Sequence, residues 1–451
     1  MGRRARALLV LAATLALAPA FTAAAATRYA APGGTGKDPC TDPARPCSVF
    51  TAADREAPRS TLKAGDVVEL APGTYYAEIE GEFGFIATVS LPEGVTVRGE
   101  PGKARPVIIL RDNETGEGAF SVPPGTEVAD VEIRNQGRHG SAIDVSGGTM
   151  ERVIARSRVG NTPTCYFVSG TMRSSACVNS GGGSAIGANV LPGASISRSF
   201  LRNSTFVATG PGSIGMDFIY YAGKTEIDAI GVLAKGEEKD VVARALEGDT
   251  AAIPGYGPRA AATVKIELQA SSYATIETEP AGTRRASITP RGTSGNITAT
   301  PLLADGNLHQ LPGSPTIDMG AVDGASAVFD LDEQMRTMGG AADIGADEFA
   351  PFAAPPRNSP PVTQVPWPQS KRPIRTPGRR VEFVFGSSDV GSRFECKLDR
   401  KSYRACASPY RRKVGLGEHE FRVRAVDPQG LADRTPAVVR WRVVTWRGFR
   451  R

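Results

Sequence analysis

Between Val122 and Asn203 apolar and polar positions recur in a fixed order. Val122, Val145, Val168 and Leu191 stand 23 residues apart, each followed within three residues by Gly125, Gly148, Gly170 or Gly193. A second apolar column follows at Ile133, Ala155, Val178 and Leu201, and a small polar column at Asn135, Ser157, Ser180 and Asn203. Such self-similarity marks a solenoid, in which each unit buries its apolar face only against its neighbours. Within each unit, Val131, Val153, Ala176 and Ser199 precede the second column by two residues, and Arg134, Arg156, Asn179 and Arg202 follow it by one. This period of two predicts strands with one face inward. Short strands turning at glycine, about one coil per repeat, predict a right-handed parallel β-helix with like residues stacked ~4.8 Å apart. Asn135, Ser157, Ser180 and Asn203 then form a polar ladder at a corner.

The same reading extends outwards from the four coils. Asp66–Leu70, Tyr75–Ile79 and Val95–Arg98 carry strand patterns, separated by Pro72-Gly73 and Pro92-Glu93-Gly94. Val49–Ala57 predicts a short helix with Ser48 as N-cap, placed to cover the open first coil. After Phe206 the register blurs, although Val264–Leu268 and Tyr273–Thr278 still read as strands and Lys235–Asp240 as an exposed charged loop. Residues 351–380 are proline-rich and predict an extended spacer. Val381–Phe385, Arg393–Lys397, His419–Val426 and Val438–Val443 then alternate again, predicting a small β-sandwich over 381–445 before a basic tail at 446–451.

Particular motifs resemble known families. Gly65-Asp66-Val67-Val68-Glu69-Leu70-Ala71-Pro72-Gly73-Thr74-Tyr75 resembles the opening coil of secreted pectin-lyase-like β-helix proteins. Gly313-Ser314-Pro315-Thr316-Ile317-Asp318-Met319-Gly320, then Asp330-Leu331-Asp332, then Asp343-Ile344-Gly345-Ala346-Asp347-Glu348-Phe349, resemble the choice-of-anchor Q β-helix domain. That resemblance covers roughly 27–350 and implies an extracytoplasmic solenoid whose relatives mostly lack an assigned activity. Phe394-Glu395-Cys396-Lys397-Leu398-Asp399 and the stretch from Gly417 to Asp427 are similar to bacterial immunoglobulin-like modules of surface proteins.

Composition agrees with a turn-rich β protein: Gly 51, Pro 34, aromatics 7% and apolar residues 41%. Residues 1–26 read as an export signal, with Arg3, Arg4 and Arg6 ahead of an apolar run too short for a comfortable membrane span. No transmembrane segment is expected after its removal. Loss of the three arginines lowers the formal charge from +6 to +3, and no nucleic-acid motif is present. In an exported chain the close pairs Cys40/Cys47, Cys165/Cys177 and Cys396/Cys406 predict local disulfides. The second pair is open, because this register points Cys177 outward.

Candidate chemistry is sparse. Arg134, Arg156 and Arg202 share the outward column and are candidates for gripping an acidic polysaccharide or envelope component, against the plainer reading of a solvated face. Asp318, Asp330, Asp332 and Asp343 are the candidates for calcium, although capping of turns by aspartate accounts equally for their crowding. Asp217, Asp228 and Asp240 lie where the repeat blurs, and His139, His309 and His419 read as isolated turn or surface residues. No catalytic residue and no required cofactor are assigned. The expected function is a non-catalytic extracellular scaffold or adhesin-like protein. The alternatives are a polysaccharide lyase or glycoside hydrolase with its site in 206–300, and a self-associating surface component.

Overall fold

The computed structural model describes residues 25–349, 363–364, 374–426, 432–433 and 436–445, except 55–56, 58–59, 77–88, 111–117, 191–196, 222, 247–261, 283, 292–294, 305–307, 378, 384 and 388–391. The expected export signal and basic tail lie almost wholly outside the described residues, as does most of the expected spacer. Its Thr363–Gln364 and Ile374–Thr376 are strands paired with Gly386–Ser387 and Ala437–Val443 of the sandwich, not extended linker.

Parallel strands dominate, as stacking of successive coils requires. A sixteen-stranded sheet and a seven-stranded sheet run along one parallel β-helix. In the larger sheet Val68, Val97, Val128, Met150, Met172, Leu201, Ala229 and Leu268 are stacked register partners, and all are buried. In the smaller sheet Tyr75, Ile108, Ile133, Ala155, Cys177, Phe206 and Ala234 form the facing stack. These columns belong to one continuous core, so the hydrophobic contacts are made coil to coil.

One residue per coil turns the chain between the two sheets. Asp130, Arg152, Ser174 and Asn203 have φ of 54°, 49°, 46° and 43°, and Gly231 and Ala270 follow at 67° and 45°. Their N–H groups donate up the stack, from Asp130 to Glu151 O, Arg152 to Arg173 O, Ser174 to Arg202 O and Asn203 to Ile230 O. Left-handed backbone is unfavourable for non-glycine residues; here each is held by the peptide of the next coil.

Two details of the expected register change. Val145 pairs with Phe167, not Val168, and Ala155 with Cys177, not Val178, because the strands of these two coils pair at an offset of 22 residues, not 23; the shifts on either side of Ser146 cancel. A difference of one residue in the repeat moves every later side chain to the other face. Cys177 therefore points inward and is bonded to Cys165, with Cα atoms 6.0 Å apart. Cys40–Cys47 and Cys396–Cys406 are bonded as expected. The polar ladder is Asn135, Ser157 and Asn179. The Asn135 amide donates to the carbonyls of His139, Gly140 and Ser141, and Asn179 does the same for Val159 and Ser184. Asn203 belongs instead to the left-handed corner.

The first coil is closed by a helix, Val49–Ala53, shorter than expected; the Ser48 side chain accepts from Thr51 N. Beneath it Arg28 is buried between Asp38 at 2.7 Å and Asp66 at 3.3 Å. The expected loop 235–240 is a tight coil turn. Glu237 and Glu238 are exposed, and the buried Asp240 accepts from Gly236 N, Ala274 N and Thr275 N.

The C-terminal module is a separate β-sandwich. A five-stranded sheet faces a two-stranded one made of Arg380–Phe383 and Tyr410–Lys413. Phe383 stacks on Phe421 at 4.4 Å between centroids and packs against Trp441, which fills the core.

Candidate functional site

Two strands of the smaller sheet are covered on both faces. Ala176–Asn179 and Thr205–Ala208 are buried at every position, although only alternate residues face the solenoid core. The chain itself covers the other face. Residues 302–349 run back over it, placing Leu308, Leu331 and Ala346 on Ile154, Ala176 and Val178, and Ile344 on Val207 and Leu233. Gly345, at φ +116°, allows the closest approach, for a Cβ there would lie 2.9 Å from Thr205 Oγ1.

Polar groups fix this wrap. Arg336 is buried and donates to Gly345 O at 3.0 Å, to Ala346 O, to Glu348 Oε1 at 3.1 Å and to Ser174 Oγ at 2.8 Å. Ser174 Oγ in turn donates to Phe329 O at 2.7 Å, so a corner of the solenoid is tied to the wrap twice. Burial pushes the Glu348 carboxyl up to about 8 and draws the Arg336 guanidinium down, even with the two in contact. Desolvation outweighs their attraction, the usual balance for a buried pair.

The four calcium candidates do not converge. Asp330 accepts from Asp332 N, Gln334 N and Glu348 N. Asp343 accepts from Asp318 N, Phe349 N and the Gln310 amide, and Asp318 accepts from Ala341 N. Their oxygens cap turns, the alternative noted from the sequence. Asp332 differs, because it meets His309 Nε2 at 2.7 Å.

His309, Asp332 and Asp347 present three ligand atoms within 4.8 Å of one another. Asp347 is buried, and burial raises its carboxyl to about 7 although His309 opposes the shift. Burial raises the Asp332 carboxyl as well, but its hydrogen bond and attraction to His309 and the charge of Arg105 leave it below its ordinary value. An imidazole with two carboxylates suits zinc or manganese better than calcium, which takes six to eight oxygens. Sequence reasoning passed over His309 because 23 residues separate it from Asp332 and 38 from Asp347. Its only signal was lying beside the Gly313–Gly320 motif.

The arginine column is shorter than expected. Arg134 and Arg156 are register partners, but the column continues as Val178 and Val207, beneath the wrap. Arg202 lies in the other sheet, paired with Arg173 and Ile230. It is buried, with Asp323 at 2.8 Å and Asp228 at 3.4 Å. Arg134 and Arg156 share Glu132 at 2.7 and 3.4 Å. Burial alone would raise the Glu132 carboxyl, yet the hydrogen bond from Arg134 and the charges of Arg134, Arg156 and Arg105 hold it below its ordinary value.

The blurred third holds ion-pair clusters of its own. Asp217 meets Arg244 at 2.5 Å, and Arg244 meets Glu279 at 3.0 Å. Asp228 meets Arg198 at 3.0 Å and Arg291 at 2.9 Å. Asp217, Asp228 and Asp240 thus serve three different structural clusters.

No helix among the described residues is long and apolar enough to cross a membrane. The chain matches no known family model and no curated protein sequence.

Proposed function

We propose that this chain is a non-catalytic extracytoplasmic scaffold, a rigid solenoid that carries a small β-sandwich and contacts envelope carbohydrate. One observation carries the reading: Glu151, Asp217 and Asp228 on the solenoid faces are each tied up by arginines of their own or neighbouring coils. Glu151 pairs with Arg152 and Arg173, Asp217 with Arg244 and Asp228 with three arginines. A lyase or hydrolase requires carboxylates that converge on a substrate together with an acid or base. Three local disulfides fit export, since such bonds persist in oxidising compartments. The motifs resembling the choice-of-anchor Q domain fit the same setting. The test is a depolymerisation assay of the mature chain on acidic and neutral polysaccharides, alongside glycan binding. Binding without product supports the scaffold.

A second reading has an observation in its favour. The His309–Asp332–Asp347 group has the ligand types of a hydrolytic metal site, which would make the solenoid a metal-dependent carbohydrate hydrolase. Product formation abolished by chelator and by His309→Ala supports that reading over the first.

A further inference from the structure

Charge is divided unevenly along this chain. Residues 371–451 contain 21 lysines and arginines against eight acidic residues, a formal charge of +13, whereas the first 370 residues carry −7. Part of this excess lies on the two-stranded sheet. Arg380, Arg411 and Lys413 share the outer face of this sheet with Glu382 as the acidic residue among them, while Arg379 and Arg412, the latter over the Tyr410 ring, are exposed beside it. Arg411 takes Glu382 at 2.9 Å. Arg380 stands directly opposite Lys413, and Val414 N donates to Arg379 O, so the adjoining arginine continues the row.

Like charges facing each other across a strand pair destabilise a sheet, so folding gives no reason for the arrangement. A bound polyanion would relieve it. Arginine exceeds lysine 17 to 4 in residues 371–451, and its planar fork grips carboxylate and sulfate groups with paired hydrogen bonds. We propose that the sandwich docks a linear anionic polysaccharide on this arginine-rich face. The proposal rests on the scaffold reading for its setting and supplies the contact that reading leaves unnamed. Nucleic acid is disfavoured because Phe383, Phe385, Phe421 and Trp441 are buried and Tyr403 lies 4.5 Å beneath the Arg424 guanidinium. None of the module's described aromatic rings is fully exposed, so the described residues offer unpaired bases no open stacking platform; duplex DNA, held through its phosphates, is an arm of the test.

The full chain is titrated with polygalacturonate, heparin, uncharged dextran and duplex DNA at two salt concentrations. Its glycan affinity is compared with that of Arg411→Ser/Arg412→Ser/Lys413→Ser and of Arg134→Ser/Arg156→Ser. The expected result is salt-sensitive binding to at least one anionic polysaccharide, none to dextran, a loss of about tenfold or more in the triple variant, and little change in the solenoid variant. Arg379→Ser/Arg380→Ser, on the opposite strand, should reproduce the loss and excludes a local folding defect in Tyr410–Lys413. Undiminished glycan binding by both sandwich variants, loss only in the solenoid variant, or a preference for duplex DNA overturns the proposal. Loss only in the solenoid variant leaves the scaffold reading intact, whereas product formation during the titration tells against that reading.

Discussion

Replacing Arg336 by methionine tests how the wrap is held. The change keeps a long apolar stem but removes the donors that reach Gly345 O, Ala346 O, Glu348 and Ser174 Oγ. At pH 9, above the value of about 8 to which burial raises it, Glu348 is ionised in the wild type; in the variant it stays buried with Asp343 N as its remaining donor and must take a proton or sit as an unpaired ion. Breaking one side of a buried ion pair costs about 3–5 kcal/mol. The cost falls on the wrap rather than on the solenoid stacks, whose columns do not touch Arg336. Native-state hydrogen exchange at pH 9 reads it directly. Leu331 N donates to Ala346 O, Ile344 N to Thr316 O and Gly345 N to Gly231 O. These three amides should exchange about a hundredfold to a few thousandfold faster, at tenfold per 1.4 kcal/mol. Amides inside Thr96–Gly99 should be unchanged. Adding Glu348→Gln should recover part of the loss, because the uncompensated carboxyl disappears. Acceleration below about fivefold, or equal acceleration in the distant strand, would refute the reasoning.

Other perturbations test other parts. Glu132 is held below its ordinary carboxyl value of 4.5 in the fold, so its stabilisation is present above that pH and lost as pH falls through the folded value. Glu132→Gln should lower the Tm at pH 7 and flatten the decline on acidification, and an unchanged acid profile would count against the Arg134–Glu132–Arg156 cluster. Zinc or manganese should raise the Tm of the wild type more than calcium does, and His309→Ala should remove the rise; calcium acting equally well on both would show that His309 is no ligand. Cys165→Ala/Cys177→Ala opens a loop of separation 12, for which chain entropy predicts about 3 kcal/mol. Urea unfolding should show that loss, and a change under 1 kcal/mol would mean that coil stacking already confines the segment.

The solenoid was legible because its contacts repeat locally. Val128, Met150 and Met172 lie 22 residues apart and stack in that order. The register at Cys177 was not, since the Val145–Val168 spacing of 23 sets a period that the paired strands Ile154–Ser157 and Ala176–Asn179, at an offset of 22, do not follow. The wrap was illegible for another reason. Ser174 meets Phe329 across 155 residues and Arg202 meets Asp323 across 121, and no pattern within either stretch names its partner. Ile154 and Val178 did carry a trace of it, as apolar residues where a solvated face needs polar ones. Arg202 was misassigned because an arginine one residue after a core leucine looks solvent-facing; only Asp228 and Asp323 make its burial tolerable. The sandwich strands were readable one by one, while the charge of the module emerged only when residues 371–451 were counted apart from the rest.

The most direct test of the account is product release from acidic and neutral polysaccharides by the mature chain, assayed with added zinc or manganese and again with chelator. A scaffold whose Glu151, Asp217 and Asp228 are tied up by arginines predicts no product under either condition while an anionic glycan is bound. Metal-dependent product that disappears in His309→Ala would contradict it and make the wrap an active site.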